Sequence, residues 1–255
     1  MVMIDAPGLI IIIISLLPVL VLQFTGSFVA FALLALIAIA IHGTYLFGPQ
    51  IILLLPITFV VSTVAELVSL KTPFGIFGAK YRYNRNHRFF SSRIWFLGVY
   101  PLEIALAWVI LKYLSYCLAM LIAQAFGLPY PAVLFGTPLI LVSLDLILDP
   151  VAVNIKKHWK WKKGSWYFGI PLRNFLGWYV VGLMGTLLFR VFDHPKGITF
   201  NILYLLPILF YGSFIPNVFA LFKFNKKMAV TGALPAVFWT VLSAVSLIIL
   251  FLRQT

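Results

Sequence analysis

Eight runs of predominantly apolar residues follow one another along this chain, at 8–24, 27–47, 50–70, 94–118, 131–153, 174–192, 199–222 and 229–252. Each is about the length that crosses the hydrocarbon core as a helix. A backbone in lipid must satisfy its own N–H and C=O groups, so runs of this length predict transmembrane helices. Mean hydropathy is +1.07 and only 10 % of residues are charged, which excludes a soluble globular domain. The fold class expected is all-α: a polytopic integral membrane helix bundle of about eight transmembrane helices, forming a single transmembrane domain over 1–255. The count falls to seven if 8–24, which is short and holds Pro18, does not span. The N-terminal stretch carries Asp5 rather than a basic cluster, so it reads as a first span and not as a cleaved signal. Little chain remains for a soluble catalytic domain.

The net charge of +13 is concentrated in alternate loops. Segment 71–93 carries Lys71, Lys80, Arg82, Arg85, Arg88 and Arg93; segment 154–173 carries Lys156, Lys157, Lys160, Lys162, Lys163 and Arg173; segment 223–228 carries Lys223, Lys226 and Lys227. Loops near 119–130 and 193–198 are almost neutral. This is the pattern of the positive-inside rule, so the basic loops are expected to be cytoplasmic and both termini on the other side. If 8–24 does not span, the N-terminus becomes cytoplasmic. Basic loops favour anionic membrane lipids as neighbours and give no reason to expect nucleic acid. The single Cys117 can form neither an internal disulfide nor a zinc site.

Of six acidic residues, four fall within or at the ends of these runs: Glu66, Glu103, Asp145 and Asp149. A carboxylate at the bilayer centre costs about 2.5–3.5 kcal/mol on insertion scales, so such residues face a protein interior and mark function. Run 50–70 heads for the cytoplasm and ends near Glu66, and run 131–153 heads the same way past Asp149. Run 94–118 leaves the cytoplasm near Arg93, which puts Glu103 about 15 Å along a helix at 1.5 Å per residue. All four acids are therefore expected in the cytoplasmic half.

Asp145 and Asp149 stand four residues apart, one turn of helix, and share a face. Two carboxylates so close in a low dielectric do not both ionise cheaply, so one is expected to keep its proton and serve as a donor. Pro150 lacks an N–H and is expected to bend or end the helix, freeing carbonyls beside the pair. Other readings stand beside this one. The pair could be salt-bridged to loop arginines or cap the neighbouring loop, could hold magnesium and a diphosphate as in membrane prenyltransferases, or could relay protons in a carrier. The magnesium reading needs a second acidic cluster, which the sequence does not supply. His42, His87, His158 and His194 do not combine with acids at metal-ligand spacing, so no metal is expected, and no dinucleotide or phosphate-loop fingerprint points to a bound cofactor.

After 131–153 comes a stretch rich in aromatic residues, Gly and Pro: His158-Trp159-Lys160-Trp161, then Ser165-Trp166-Tyr167-Phe168-Gly169-Ile170-Pro171 and Asn174-Phe175-Leu176-Gly177-Trp178. Gly169 and Pro171 predict a tight, re-entrant-like turn, and Asn174 is expected to cap the next helix. Irregular backbone at membrane depth belongs beside a cavity, and aromatic faces there can stabilise a cation.

Three blocks of residues carry a resemblance. They are Glu66 with Thr72, Phe74, Gly75, Tyr81 and Tyr83; Asp145-Leu146 with Asp149-Pro150; and Trp159, Trp161, Tyr167-Phe168-Gly169-Ile170-Pro171, Asn174-Phe175 and Gly177-Trp178. On these, over 66–178, the chain resembles the carotenoid hydratases, membrane carotenoid-biosynthesis proteins of the bisanhydrobacterioruberin or gamma-carotene hydratase type. It departs from their pattern at Ser69, where a glycine is usual, in the turn from Pro73 to Gly78, and at Arg173, where a smaller residue is usual. The resemblance implies addition of water to the terminal double bond of an acyclic carotenoid end group, giving a tertiary alcohol without a cofactor. Asp145, Asp149 and Glu66 would be the acid–base residues. Glu103, Phe74, Tyr81, Trp159, Trp161, Tyr167, Asn174 and Trp178 would line an apolar polyene drawn from the bilayer of a prokaryotic plasma membrane. Pro101-Leu102-Glu103 is similar to an element of membrane-embedded carotenoid cyclases, which makes a lycopene-type cyclase the alternative enzyme. A proton-coupled carrier or isoprenoid-binding membrane protein is the alternative outside catalysis.

Overall fold

A computed structural model of the chain describes residues 5–193 and 200–254; His194 and the first residue of the expected span 199–222 lie outside them. The chain folds as a helix bundle. Helix α1 (Ala6–Thr25) is capped by the Asp5 carboxylate, which accepts from the Gly8 N–H, and α2 (Phe28–Phe47) is capped by Ser27. A short 3₁₀ turn leads into α3 (Leu54–Lys71), followed by α4 (Leu102–Ala125), α5 (Tyr130–Val151) and α6 (Leu172–Arg190). Helix α7 (Leu205–Gly212) continues through 3₁₀ turns into α8 (Phe222–Leu252).

Seven helical stretches among the described residues are long and apolar enough to cross a membrane. The last, Ile202–Leu252, is 51 residues long and doubles back. Phe200 meets Phe251 at 5.2 Å between ring centroids, and Gly212 faces Thr240, so its two limbs run antiparallel. Between them Asn225 leaves the helical region, with φ −161° and ψ 100°. Runs 199–222 and 229–252 correspond to these two limbs.

Helix α4 is apolar on every side and almost wholly buried, as a central helix must be. Helices α2, α3, α5, α7 and α8 pack around it, and α6 bridges α3 and α5. The outer faces keep large apolar side chains exposed, among them Leu9, Ile13, Val60, Leu176 and Ile248, which suits a lipid surround.

One span boundary needs correction. The run beginning at residue 94 starts as a hairpin, with β2 (Trp95–Phe96) antiparallel to β3 (Tyr100–Pro101), and helix begins only at Leu102. Leu97 and Gly98 have positive φ, and Pro101 holds the residue before it out of the helical region. Glu103 therefore sits in the first turn of α4, not about 15 Å along a helix from Arg93. A second ladder pairs β1 (Tyr81–Tyr83) with β4 (Trp159–Trp161), in register Tyr81–Trp161, Arg82–Lys160 and Tyr83–Trp159. This ladder ties the basic segments 71–93 and 154–173 to one end of the bundle. Nearby, Gly232 of α8 leaves room for the Tyr167 hydroxyl, so the start of α8 lies at that end too.

Candidate active site

Alternation along β1 and β4 sorts their side chains onto two faces. Arg82 and Lys160 point outward, exposed; Tyr81, Tyr83 and Trp161 are buried and Trp159 is half-buried. The inward rings meet across the ladder, Tyr81 tilted against Trp161 at 4.6 Å and Tyr83 edge-on to Trp159 at 5.7 Å between centroids. They form an aromatic lid over the ends of α3, α5 and α6.

Beneath the lid lie three buried carboxyl groups: Glu66 of α3 and Asp145 and Asp149 of α5. Glu66 Oε2 accepts from the Tyr81 hydroxyl and, at 3.3 Å, from the Tyr83 hydroxyl. Burial and the adjacent Glu66 hold the Tyr81 and Tyr83 hydroxyls well above their ordinary range, so they remain donors at neutral pH. Asp149 Oδ1 accepts from the Trp159 indole at 2.9 Å. The Asn174 amide donates to Oδ2 of both aspartates, at 2.9 Å to Asp145 and 2.8 Å to Asp149. Glu66 lies within electrostatic reach of both. Every one of these donors is uncharged, so the reading of an aspartate pair salt-bridged to loop arginines is not what the structure shows.

Backbone chemistry positions this group. Pro150 does not end α5; the helix runs to Val151 and then widens into a π turn over Ala152–Lys156. The missing N–H of Pro150 leaves the Leu146 carbonyl without its helical donor, and the Tyr167 hydroxyl supplies one at 2.6 Å. Tyr167 is aimed by a tight turn in which Phe168 and Gly169 both have positive φ and Ile170 N–H returns to the Tyr167 carbonyl at 2.8 Å. The turn expected from Gly169 and Pro171 is thus present. Asn174 is not the cap of α6: Pro171 occupies that place, and Asn174 stands in the first turn with its side chain turned to the aspartates. Gly177 is required because a Cβ there would come within 2.6 Å of the Phe77 ring.

Glu66, Tyr81, Asp145, Asp149, Trp159, Trp161, Tyr167 and Asn174 gather in one region. Trp178 joins through Trp108 of α4, on which it stacks at 3.9 Å. Two expected residues stand apart. Phe74 is exposed, and Phe77 takes the buried place against Tyr81, because the Gly75–Gly78 turn reverses the chain between them. Glu103 is buried but accepts from the Ser92 N–H at 2.8 Å, closing the hairpin.

Trp108 and Lys112 enter although the sequence did not single them out. The buried indole N–H groups of Trp108 and Trp161 lie beside Glu66 and Asp149 without a hydrogen bond of good geometry. Lys112, fully buried on α4, donates to the Gly182 carbonyl at 2.5 Å and to the Thr186 hydroxyl, pinning α4 to α6. An intramembrane lysine is a signal worth weighing from sequence alone. Among the described residues no group of three or more His, Cys, Asp or Glu side chains is arranged to hold a metal ion.

Two of the cavities formed by the described residues differ in character. A polar one of about 860 Å³ opens at the basic end and is walled in part by Tyr83 and Trp159. An apolar one of about 250 Å³ lies across α4, between α1, α2 and α7, and touches none of the expected site residues.

No curated protein and no solved structure matches the chain. A family model does, over residues 27–248, which takes in every group of the carboxylate cluster: the chain belongs to the carotenoid biosynthesis protein family.

Proposed function

We propose that this membrane protein is a carotenoid hydratase, a cofactor-independent hydro-lyase adding water across the terminal double bond of an acyclic end group. The observation that carries the reading is the single Asn174 amide shared by Asp145 and Asp149 under an aromatic lid. Asp149 accepts at both oxygens, from Trp159 and from Asn174, and so is suited to remain a carboxylate. Among the described residues Asp145 Oδ1 accepts no hydrogen bond, which suits it to carry the proton.

The chemistry follows from these roles. Asp145 gives its proton to the less substituted carbon of the terminal alkene, and the π pair forms the new C–H bond. The tertiary cation left behind faces the rings of Trp159, Trp161 and Tyr81, whose negative π faces stabilise it. Water from the polar cavity beside Trp159 attacks the cation, and Asp149 or Glu66 takes the proton released. A proton returned to Asp145 through water completes the cycle. The net change is one alkene and one water consumed and one tertiary alcohol formed. A cyclase would begin with the same protonation and quench the cation with an internal double bond. The polar cavity walled in part by Trp159, whose indole donates to Asp149, supports hydration.

Expression in a cell that accumulates lycopene, with mass analysis of the pigments, tests the reading. Gain of one water per reacted end is expected, and an isomer of unchanged mass would replace hydration with cyclisation. Asp145→Asn and Asp149→Asn are each expected to abolish product while the protein stays in the membrane. Full activity in both variants would sink the assignment.

A further inference from the structure

The outer face of the β1–β4 ladder sets two cations directly opposite each other, Arg82 and Lys160. Like charges directly opposite across an antiparallel pair destabilise it, and a two-stranded ladder has little stability to spare. Both residues line the polar cavity of about 860 Å³, with Lys157 and Arg85, and no carboxylate shares that wall. Arg85 is occupied, its guanidinium 5.1 Å from the Trp95 ring centre. Among the described residues the charged groups of Arg82, Lys157 and Lys160 are engaged by no hydrogen bond or ion pair. Lys157 is fixed in the left-handed region at φ 58°, with its carbonyl accepting from Asn84, so the rim is built rather than loose.

Three unengaged cations converging on one concave wall are complementary to an anion with several acceptor oxygens. We propose that Arg82, Lys157 and Lys160 form a binding site for a phosphate-bearing anion, either an anionic phospholipid headgroup or free phosphate. The bound group bridges Arg82 and Lys160 and removes the repulsion across the ladder. The opposite face of the same strands carries Tyr83 and Trp159, the donors to Glu66 and Asp149. Occupancy of the outer site therefore steadies the lid over the carboxylates. The site takes a ligand distinct from the apolar substrate and stands whatever reaction the carboxylates perform.

The test uses the purified full chain in nanodiscs and reads its melting temperature. Discs of phosphatidylcholine alone are compared with discs containing phosphatidylglycerol, and with phosphatidylcholine discs given inorganic phosphate against chloride at equal ionic strength. A rise of about 2–4 °C is expected from the matching phosphate source, corresponding to relief of one unfavourable pair. A response to phosphatidylglycerol alone identifies a lipid headgroup, and a response to inorganic phosphate alone identifies the free anion. Arg82→Gln is expected to lose most of the rise. Lys160→Glu builds an internal ion pair with Arg82, so it should melt higher in phosphatidylcholine alone and lose the anion response. Lys227→Gln, outside the cavity, should behave as wild type. The proposal is overturned if neither source shifts the protein, if Lys160→Glu keeps the full response, or if Lys227→Gln loses it equally.

Discussion

Asn174 shows how a single amide determines what two carboxyl groups can do. Its two N–H bonds go one to each aspartate, so Asp145 and Asp149 share a fixed geometry without a cation to neutralise them. Asn174→Leu keeps the volume and deletes both donors. A stability loss of about 1–3 kcal/mol is expected for leaving buried acceptors unpaired. Product formation should fall about 10²- to 10⁴-fold, the usual worth of a positioned acid–base pair. Melting temperature and pigment yield per milligram of membrane protein check the two parts, and wild-type turnover in this variant would remove Asn174 from the site. Sequence reasoning reached the aspartates because acids are so scarce here that each one in an apolar run stands out. For Asn174 residue type favours a helix cap and the resemblance implies a place lining the substrate, but neither reveals its bonds to the aspartates, since a side chain's reach across to α5 leaves no trace in local spacing. Trp108 escaped notice for a related reason, because an indole in an apolar helix reads as packing until Glu66 is found beside it.

At the level of elements, the unusual feature is how the end of α5 is held. Pro150 removes the donor for the Leu146 carbonyl, and Tyr167, seventeen residues further on, restores one. Tyr167→Phe is expected to cost about 1 kcal/mol in the natural background and much less in Pro150→Ala, where the helix supplies its own N–H. A double-mutant cycle on melting free energies reads the difference as a coupling energy, and independent, additive effects would count against this account of the turn. The β1–β4 ladder is, with the β2–β3 hairpin, an element the all-α expectation omitted. Its strands are three residues each, too short for any run-length signal, although Tyr-Arg-Tyr and Trp-Lys-Trp both alternate aromatic with cationic side chains. Next to it His158 stacks on Phe89 at 4.4 Å, and burial, with His87 and Lys156 nearby, pushes its pKa down to about 4. The neutral ring is the folded form. Between an ordinary histidine value of about 6.5 and about 4 the unfolded segment takes up a proton that the folded one refuses. Stability from this group is complete above that window and drains away as pH falls through it. His158→Phe keeps the stacking and cannot titrate, so its melting temperature should drop less than that of the natural protein between pH 7 and pH 4.5. Equal drops would remove His158 as a source of acid sensitivity.

For the whole molecule, run length and loop charge were enough to lay out the bundle, because lipid leaves a hydrophobic chain few choices of backbone. They were not enough for its interior. Which helix is central, and that residues 94–101 form a hairpin instead of helix, depends on packing and on Pro101, Leu97 and Gly98 acting together. The arrangement has a consequence for sidedness. The β1–β4 ladder and the Tyr167–α8 contact put the basic segments 71–93, 154–173 and 223–228 at one end, and the carboxylate cluster lies beneath that end. The positive-inside rule leads us to propose that this end faces the cytoplasm, in which case hydration would draw its water from there. Cys117, the sole cysteine, is fully buried, so the natural chain is a quiet background for labelling. Single cysteines placed at Arg88, Lys162 and Lys226 should react with a membrane-impermeant thiol reagent only when the cytoplasmic face is presented. One at Gly127, in the turn joining α4 to α5 at the opposite end, should react only from outside. Labelling of Lys162 and Lys226 from opposite faces would break the bundle as described. Labelling of all three basic positions from outside would invert it, and would move the source of water for Asp149 to the other side of the membrane.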